Sequence, residues 1–244
     1  MIEVPPDRTR GHGVRYWEEP MSLHLHRDLE KLKKDILTMG AMVESAVRKS
    51  IRALHERRAS LAQEVIDGDE RIDRWEIDVE EQCLKILALH QPVAEDLRFI
   101  AAVVKMNSDL ERMGDLAVNI AEQALFLASE PPLPVPATLT AMSEAAMRMA
   151  RESLDAFVNR NTSAARAICA QDDEVDQYNR DIIVELERLM EADPGTIGGR
   201  IRLFSVSRQL ERIADHATNI AEDVVYLVEG EIIRHRSERL PEGK

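Results

Sequence analysis

The feature that most constrains this chain is an internal duplication. Residues 109–122 read DLERMGDLAVNIAE and residues 209–222 read QLERIADHATNIAE, identical at nine of fourteen positions with a constant offset of 100. Earlier in each half, Asp69-Glu-Arg-Ile-Asp73 is matched by Asp172-Asp-Glu-Val-Asp176, and Trp75 by Tyr178. A chain repeated in this way has to build one supersecondary unit twice and set the copies against each other.

The periodicity says what the unit is. Leu25, Leu29, Leu32, Ile36, Met39, Val43, Val47, Ile51 and Leu54 recur at three- and four-residue spacing, which predicts a long amphipathic helix. A second run goes from Leu61 through Ile72, Val79 and Cys83 to Leu89, and a third from Leu97 to Leu127, with Pro92 at the turn between them. Pro131-Pro-Leu-Pro-Val-Pro136 cannot continue a helix and reads as a stiff linker. Three more runs follow, Leu139 to Phe157, Ile168 to Leu189 and Ile201 to Leu227, the last two separated by Asp193-Pro-Gly195. The expectation is an all-α fold of two tandem three-helix bundles, six helices in all. Its segments are a flexible N-terminal extension at 1–21, a first bundle at 22–130, the Pro-rich linker at 131–136, a second bundle at 137–236 and a loose tail at 237–244. Aromatics make up only 4% of the chain, which suits helix-packed cores of Leu, Ile, Val, Ala and Met.

Charge narrows the function classes. A formal net charge of −13, with Lys and Arg scattered among acids, repels a phosphate backbone and argues against nucleic acid as a partner. Cys83 and Cys169 lie inside apolar helical patterns without Cys-x-x-Cys spacing, so they read as small buried hydrophobes in a reducing compartment. No apolar run approaches the roughly 20 residues of a membrane helix. The longest, Phe99 to Val104, stops at Lys105, and the N-terminus lacks the apolar centre of a secretion signal. The expected location is the cytoplasm.

The repeated motif carries the candidate chemistry. Glu111, Asp115, Asn119 and Glu122 fall on one helical stripe, repeated as Glu211, Asp215, Asn219 and Glu222. Asp69 and Asp73, and likewise Asp172 and Asp176, form i, i+4 pairs on the preceding helix. If neighbouring helices bring the pairs together, each half gathers four carboxylates whose mutual repulsion is relieved by a hard cation. Iron, manganese or magnesium fits such oxygen ligands, and zinc is compatible; His216, Asn119 and Asn219 are further ligand candidates. The competing reading is a solvated acidic face, with Arg112 and Arg212 in ordinary surface ion pairs. No histidine has an acid three residues before it, unlike the Glu-x-x-His pairs of ferritin-like di-iron bundles. Nor does the chain contain a phosphate-binding P-loop or a nucleophile elbow, so no catalytic residue is assigned. A metal-dependent hydrolase or redox enzyme, or a metal-free scaffold, remain the alternatives on residues alone.

Together with His90-Gln-Pro-Val-Ala-Glu-Asp-Leu-Arg98, the two copies of the acidic motif resemble the PhoU family over residues 21 to 236. The resemblance implies two three-helix bundles about a pseudo-twofold axis and metal clusters at Asp69, Asp73, Glu111 and Asp115, and at Asp172, Asp176, Glu211 and Asp215. Ala214 stands for Gly114 and His216 for Leu116, so the clusters need not match in occupancy or metal. The implied role is non-enzymatic: negative regulation of the phosphate-starvation response and of high-affinity phosphate uptake. The implied partners are a sensor histidine kinase, the ATPase subunit of the phosphate ABC transporter and a second copy of the chain, with peripheral attachment at the inner membrane through those partners.

Overall fold

The computed structural model describes residues 18–233; the expected extension up to residue 17, residues 234–236 of the expected second bundle and the expected tail at 237–244 lie outside the described residues. Six helices follow in order: α1 Glu18–Glu56, α2 Ala59–His90, α3 Ala94–Ser129, α4 Ala137–Asn159, α5 Thr162–Ala192 and α6 Ile197–Glu229. Helix α1 begins four residues before the expected start of the bundle.

The breaks fall where local chemistry requires them. Gln91 takes a left-handed conformation after α2, and Val93 is extended ahead of α3. The Asn161 side chain accepts from the Ala164 amide at 3.0 Å and caps α5. Asp193 accepts from the Gly195 amide at 3.1 Å, closing the short 3-10 turn Pro194–Thr196 that leads into α6. The stretch from residue 131 to residue 136 is irregular, yet it is packed rather than free: Leu133 and Val135 lie against the core, and the buried Arg200 donates to the Pro134 carbonyl at 3.2 Å. Gly199 makes room for it, since a Cβ there would stand 2.1 Å from a Leu133 methyl.

Helices α1, α2 and α3 pack together, as do α4, α5 and α6, and the bundles join along α3 and α6. These two run antiparallel. Arg98 of α3 donates to Leu227 O at 3.2 Å, Asp109 meets His216 in the middle at 2.8 Å, and Arg202 reaches Gln123 at 3.0 Å at the far end. Phe99 of α3 stacks on Phe157 of α4 at 5.7 Å, and Arg151 of α4 pairs with Glu44 of α1. One hydrophobic core therefore spans both halves, with Leu110, Met113, Leu116, Ile120, Leu210, Ile213 and Ile220 at its centre.

A shared core makes the halves unfold together. Leu110→Ala, at a side chain only 2% exposed, is expected to lower stability by about 2–5 kcal/mol. Denaturation followed by helicity should stay a single transition, whereas independent bundles would give two.

Candidate metal centres

Helix α2 packs antiparallel on α3, with Asn107 donating to Glu76 O at 2.9 Å. Burial of Ile72 against Gly114 brings the acidic stripes of the two helices face to face. A Cβ on Gly114 would lie 3.3 Å from Ile72 and 3.7 Å from Asp69 Oδ1, so the missing side chain permits this approach. Asp69, Asp73, Glu111 and Asp115 share one neighbourhood. The Asp69 carboxyl is pushed up to about 6 by desolvation, then by the charges of Asp73 and Asp115. Desolvation and Asp115 also raise Glu111.

The second half repeats the arrangement between α5 and α6. Desolvation pushes the Asp172 carboxyl up to about 6, reinforced by Asp215, Asp176, Asp173 and Glu211. Asp215 is raised by desolvation and then by Asp176, with His216, Arg208 and Arg212 opposing. All eight sequence-derived carboxylates thus fall into two groups of four.

Arginines hold several of these acids at the edges. Arg112 pairs with Asp115 at 3.1 Å and with Glu111 at 3.4 Å. Arg180 lies 3.8 Å from Asp176, and Arg208 pairs with Glu211. As the side chains stand, among the described residues no three acids, histidines or cysteines are close enough to hold a metal ion together. The donor chemistry nevertheless fits one. Each group offers only carboxylate oxygens, and Asp69 and Asp172 form no ion pair among the described residues. A hard cation would relieve the repulsion that raises them.

The further ligand candidates are placed differently. His216 Nδ1 and Asn219 Nδ2 both contact Asp109 Oδ1 of α3, at 2.8 and 3.2 Å, so they face the seam between the halves. Asn119 is half-buried on the equivalent face of α3. The sequence reading missed Glu76, which desolvation, Glu80 and Asp73 raise and which adds charge to the first group. Its spacing of seven from Asp69 was the available signal. Its counterpart Asn179 is neutral, and donates to Glu211 at 3.2 Å. Cys83 and Cys169 are free thiols, pushed up to about 12 and about 11 by burial.

The family model described as the PhoU domain matches twice, at residues 36–124 and 139–224. A protein of Aquifex aeolicus named as a phosphate-specific transport system accessory protein PhoU homolog is 42% identical over 88% of this chain and 97% of its own length. The Escherichia coli phosphate-specific transport system accessory protein PhoU is 34% identical over 88% of this chain and 89% of its own length. Among solved structures, PhoU from Pseudomonas aeruginosa superposes with a TM-score of 0.80 at 36% identity, covering 84% of this chain and 99% of that one. The phosphate transport system regulatory protein PhoU from Streptococcus pneumoniae also gives 0.80, at 32% identity, covering 87% and 99%.

The acidic groups make a pH prediction. Folding raises the Asp69 and Asp172 carboxyls from 3.8 to about 6, so their stabilising contribution is complete below 3.8 and lost as pH rises through about 6. Asp69→Asn with Asp172→Asn should therefore stabilise the chelator-treated protein by about 1 kcal/mol at neutral pH, after allowance for solvent screening. At acid pH the gain should vanish. Thermal melts at both pH values decide this, and an equal gain at both would contradict it.

Proposed function

Because the chain belongs to the PhoU family, a family of phosphate transport accessory and regulatory proteins, we propose that it is a negative regulator of the phosphate-starvation response and of high-affinity phosphate uptake. It acts as a helical adaptor and not as an enzyme. Its partners in this reading are the sensor histidine kinase of the phosphate two-component system and the ATPase subunit of the phosphate ABC transporter, with the chain itself forming a homodimer. The setting is the cytoplasm, with peripheral attachment to the inner membrane through those partners. Among the described residues no helix is long and apolar enough to cross a membrane, in keeping with an indirect attachment.

The observation that carries the reading is the family match across both halves together with the two acidic groups that they build. We assign metal ions, iron foremost with manganese, zinc or magnesium as alternatives, to Asp69, Asp73, Glu111 and Asp115 and to Asp172, Asp176, Glu211 and Asp215. Bound there, a divalent or trivalent cation would neutralise the carboxylates and tie α2 to α3 and α5 to α6. This chain's own part is to supply the oxygens on two rigid helices and to release Asp115, Asp176 and Glu211 from Arg112, Arg180 and Arg208. A metal-free scaffold is the second reading, favoured by the ion pairs that already hold several of these acids.

Elemental mass spectrometry of untagged protein separates the two. Near-stoichiometric metal that falls in Asp115→Ala and in Asp215→Ala supports the clusters; no metal, with helicity unchanged, supports the scaffold. In cells lacking the chain, a phosphate-starvation reporter should be active even in abundant phosphate and be silenced on re-expression. A reporter that responds normally without the chain would overturn the regulatory role.

A further inference from the structure

The acidic motif of α3 is preceded on nearly the same helical stripe by an apolar triplet. Leu97, Ala101 and Val104 stand at i, i+4 and i+7, and Glu111 follows seven residues after Val104. Their counterparts on α6 are Ile197, Ile201 and Phe204. All three identities differ between the copies, yet all stay apolar, and apart from the half-buried Ala101 they are exposed: Leu97 and Val104 are 45% and 37% exposed, and Ile197, Ile201 and Phe204 are 40%, 53% and 37% exposed. Core packing does not account for such residues, and a purely solvated face gains nothing by remaining apolar through divergence.

The flanking helix distinguishes the halves. The Asn107 bond to Glu76 sets the register of α2 on α3 and places Glu80, one turn further along α2, beside the Val103–Val104 turn. Neither Glu76 nor Glu80 forms an ion pair among the described residues; desolvation and then the acids Glu80 and Asp73 raise Glu76, with Arg112 opposing from a distance. The corresponding α5 residues are Asn179 and Ile183, both uncharged. The apolar triplet is thus common to both halves, whereas the pair of carboxylates beside it belongs to the first.

We infer that the α2–α3 face of the first half is a docking surface for a cationic amphipathic helix of a partner protein. Its apolar anchors would lie on Leu97, Ala101 and Val104, and its lysines or arginines against Glu76 and Glu80. Helix-in-groove recognition uses anchors at this spacing, and charge complementarity selects the basic partner over an acidic one. The same acids repel an anionic lipid surface. This inference deepens the adaptor reading above and rests on it.

The test uses the full chain and a designed fluorescent peptide about five helical turns long, with leucines at i, i+4 and i+7 and lysines beyond them, beside a second version with glutamates for the lysines. Anisotropy should show binding of the lysine peptide at least about tenfold tighter than the glutamate one. Leu97→Ser with Val104→Ser should weaken it by about tenfold, and Glu76→Gln with Glu80→Gln by a similar factor together with a shallower salt dependence. Ile201→Ser with Phe204→Ser on the second half should leave it within about twofold. All these residues lie at or near the surface, and circular dichroism checks that each variant folds. Equal binding of both peptides, a loss that follows Ile201 and Phe204 instead, or sedimentation with anionic vesicles that depends on Leu97 and Val104 would each overturn the inference. Absence of any peptide binding overturns it too, while the starvation-reporter result stands or falls separately.

Discussion

The antiparallel contact between α3 and α6 is the constraint on which the rest of the molecule depends. Each of these helices serves two sets of neighbours, its own bundle on one side and the other half on the other, and each is buried over a correspondingly wide arc. A three-helix bundle taken alone would leave that second arc in water. The duplication solves this by making each copy the cover of the other. Register along the contact is set by polar groups as well as by packing: Asp109 accepts from both His216 and Asn219, and Lys105 reaches the buried Asp223 at 3.2 Å. Removing such partners leaves a carboxylate desolvated without compensation, so slippage by a turn is penalised.

The same packing forces the carboxylates together. Ile72 and Val79 on α2 and Leu110 and Met113 on α3 go into the core, and the acids next to them on the helical wheel have no choice but to line the rim between the two helices. Their repulsion amounts to a few kcal/mol at most, because the rim keeps contact with water. Burial of the shared core is far larger. The fold can therefore tolerate two unfavourable acidic groups, whose oxygens would have to close up and leave Arg112, Arg180 and Arg208 to hold a cation.

The helices were legible because the three- and four-residue spacing is sustained over 23 to 39 residues in each, long enough for the pattern to outweigh local propensity. The eight carboxylates were legible because duplication marks a stripe that drift would otherwise blur. What the sequence could not show was how the faces meet. The proline-rich stretch reads as a spacer, yet Leu133, Val135 and Arg200 bind it to the body, because apolar side chains on a proline-stiffened strand are free to pack where a helix cannot follow. His216 follows Asp215 in sequence, but a step of about 100° around the helix turns it from the acidic rim to the seam with α3. Glu76 returns to the face of Asp69 after two turns, but the duplication does not mark it, since Asn179 stands at its counterpart.

Duplication fixes geometry in both copies and leaves electrostatics free to diverge. In the first half Glu76 adds a charge, while the second half has Asn179 there, donating to Glu211. Opposite Leu116 of the first half stands His216 of the second, which reaches across to Asp109, two residues from Glu111. The first group therefore gains a carboxylate where the second has an amide, and the two are linked across the seam through Asp109 and His216. Two groups built on the same backbone consequently differ in charge and in their polar neighbours. His216, next to Asp215 in sequence, makes a polar contact with α3, whereas Leu116, next to Asp115, is an apolar core residue.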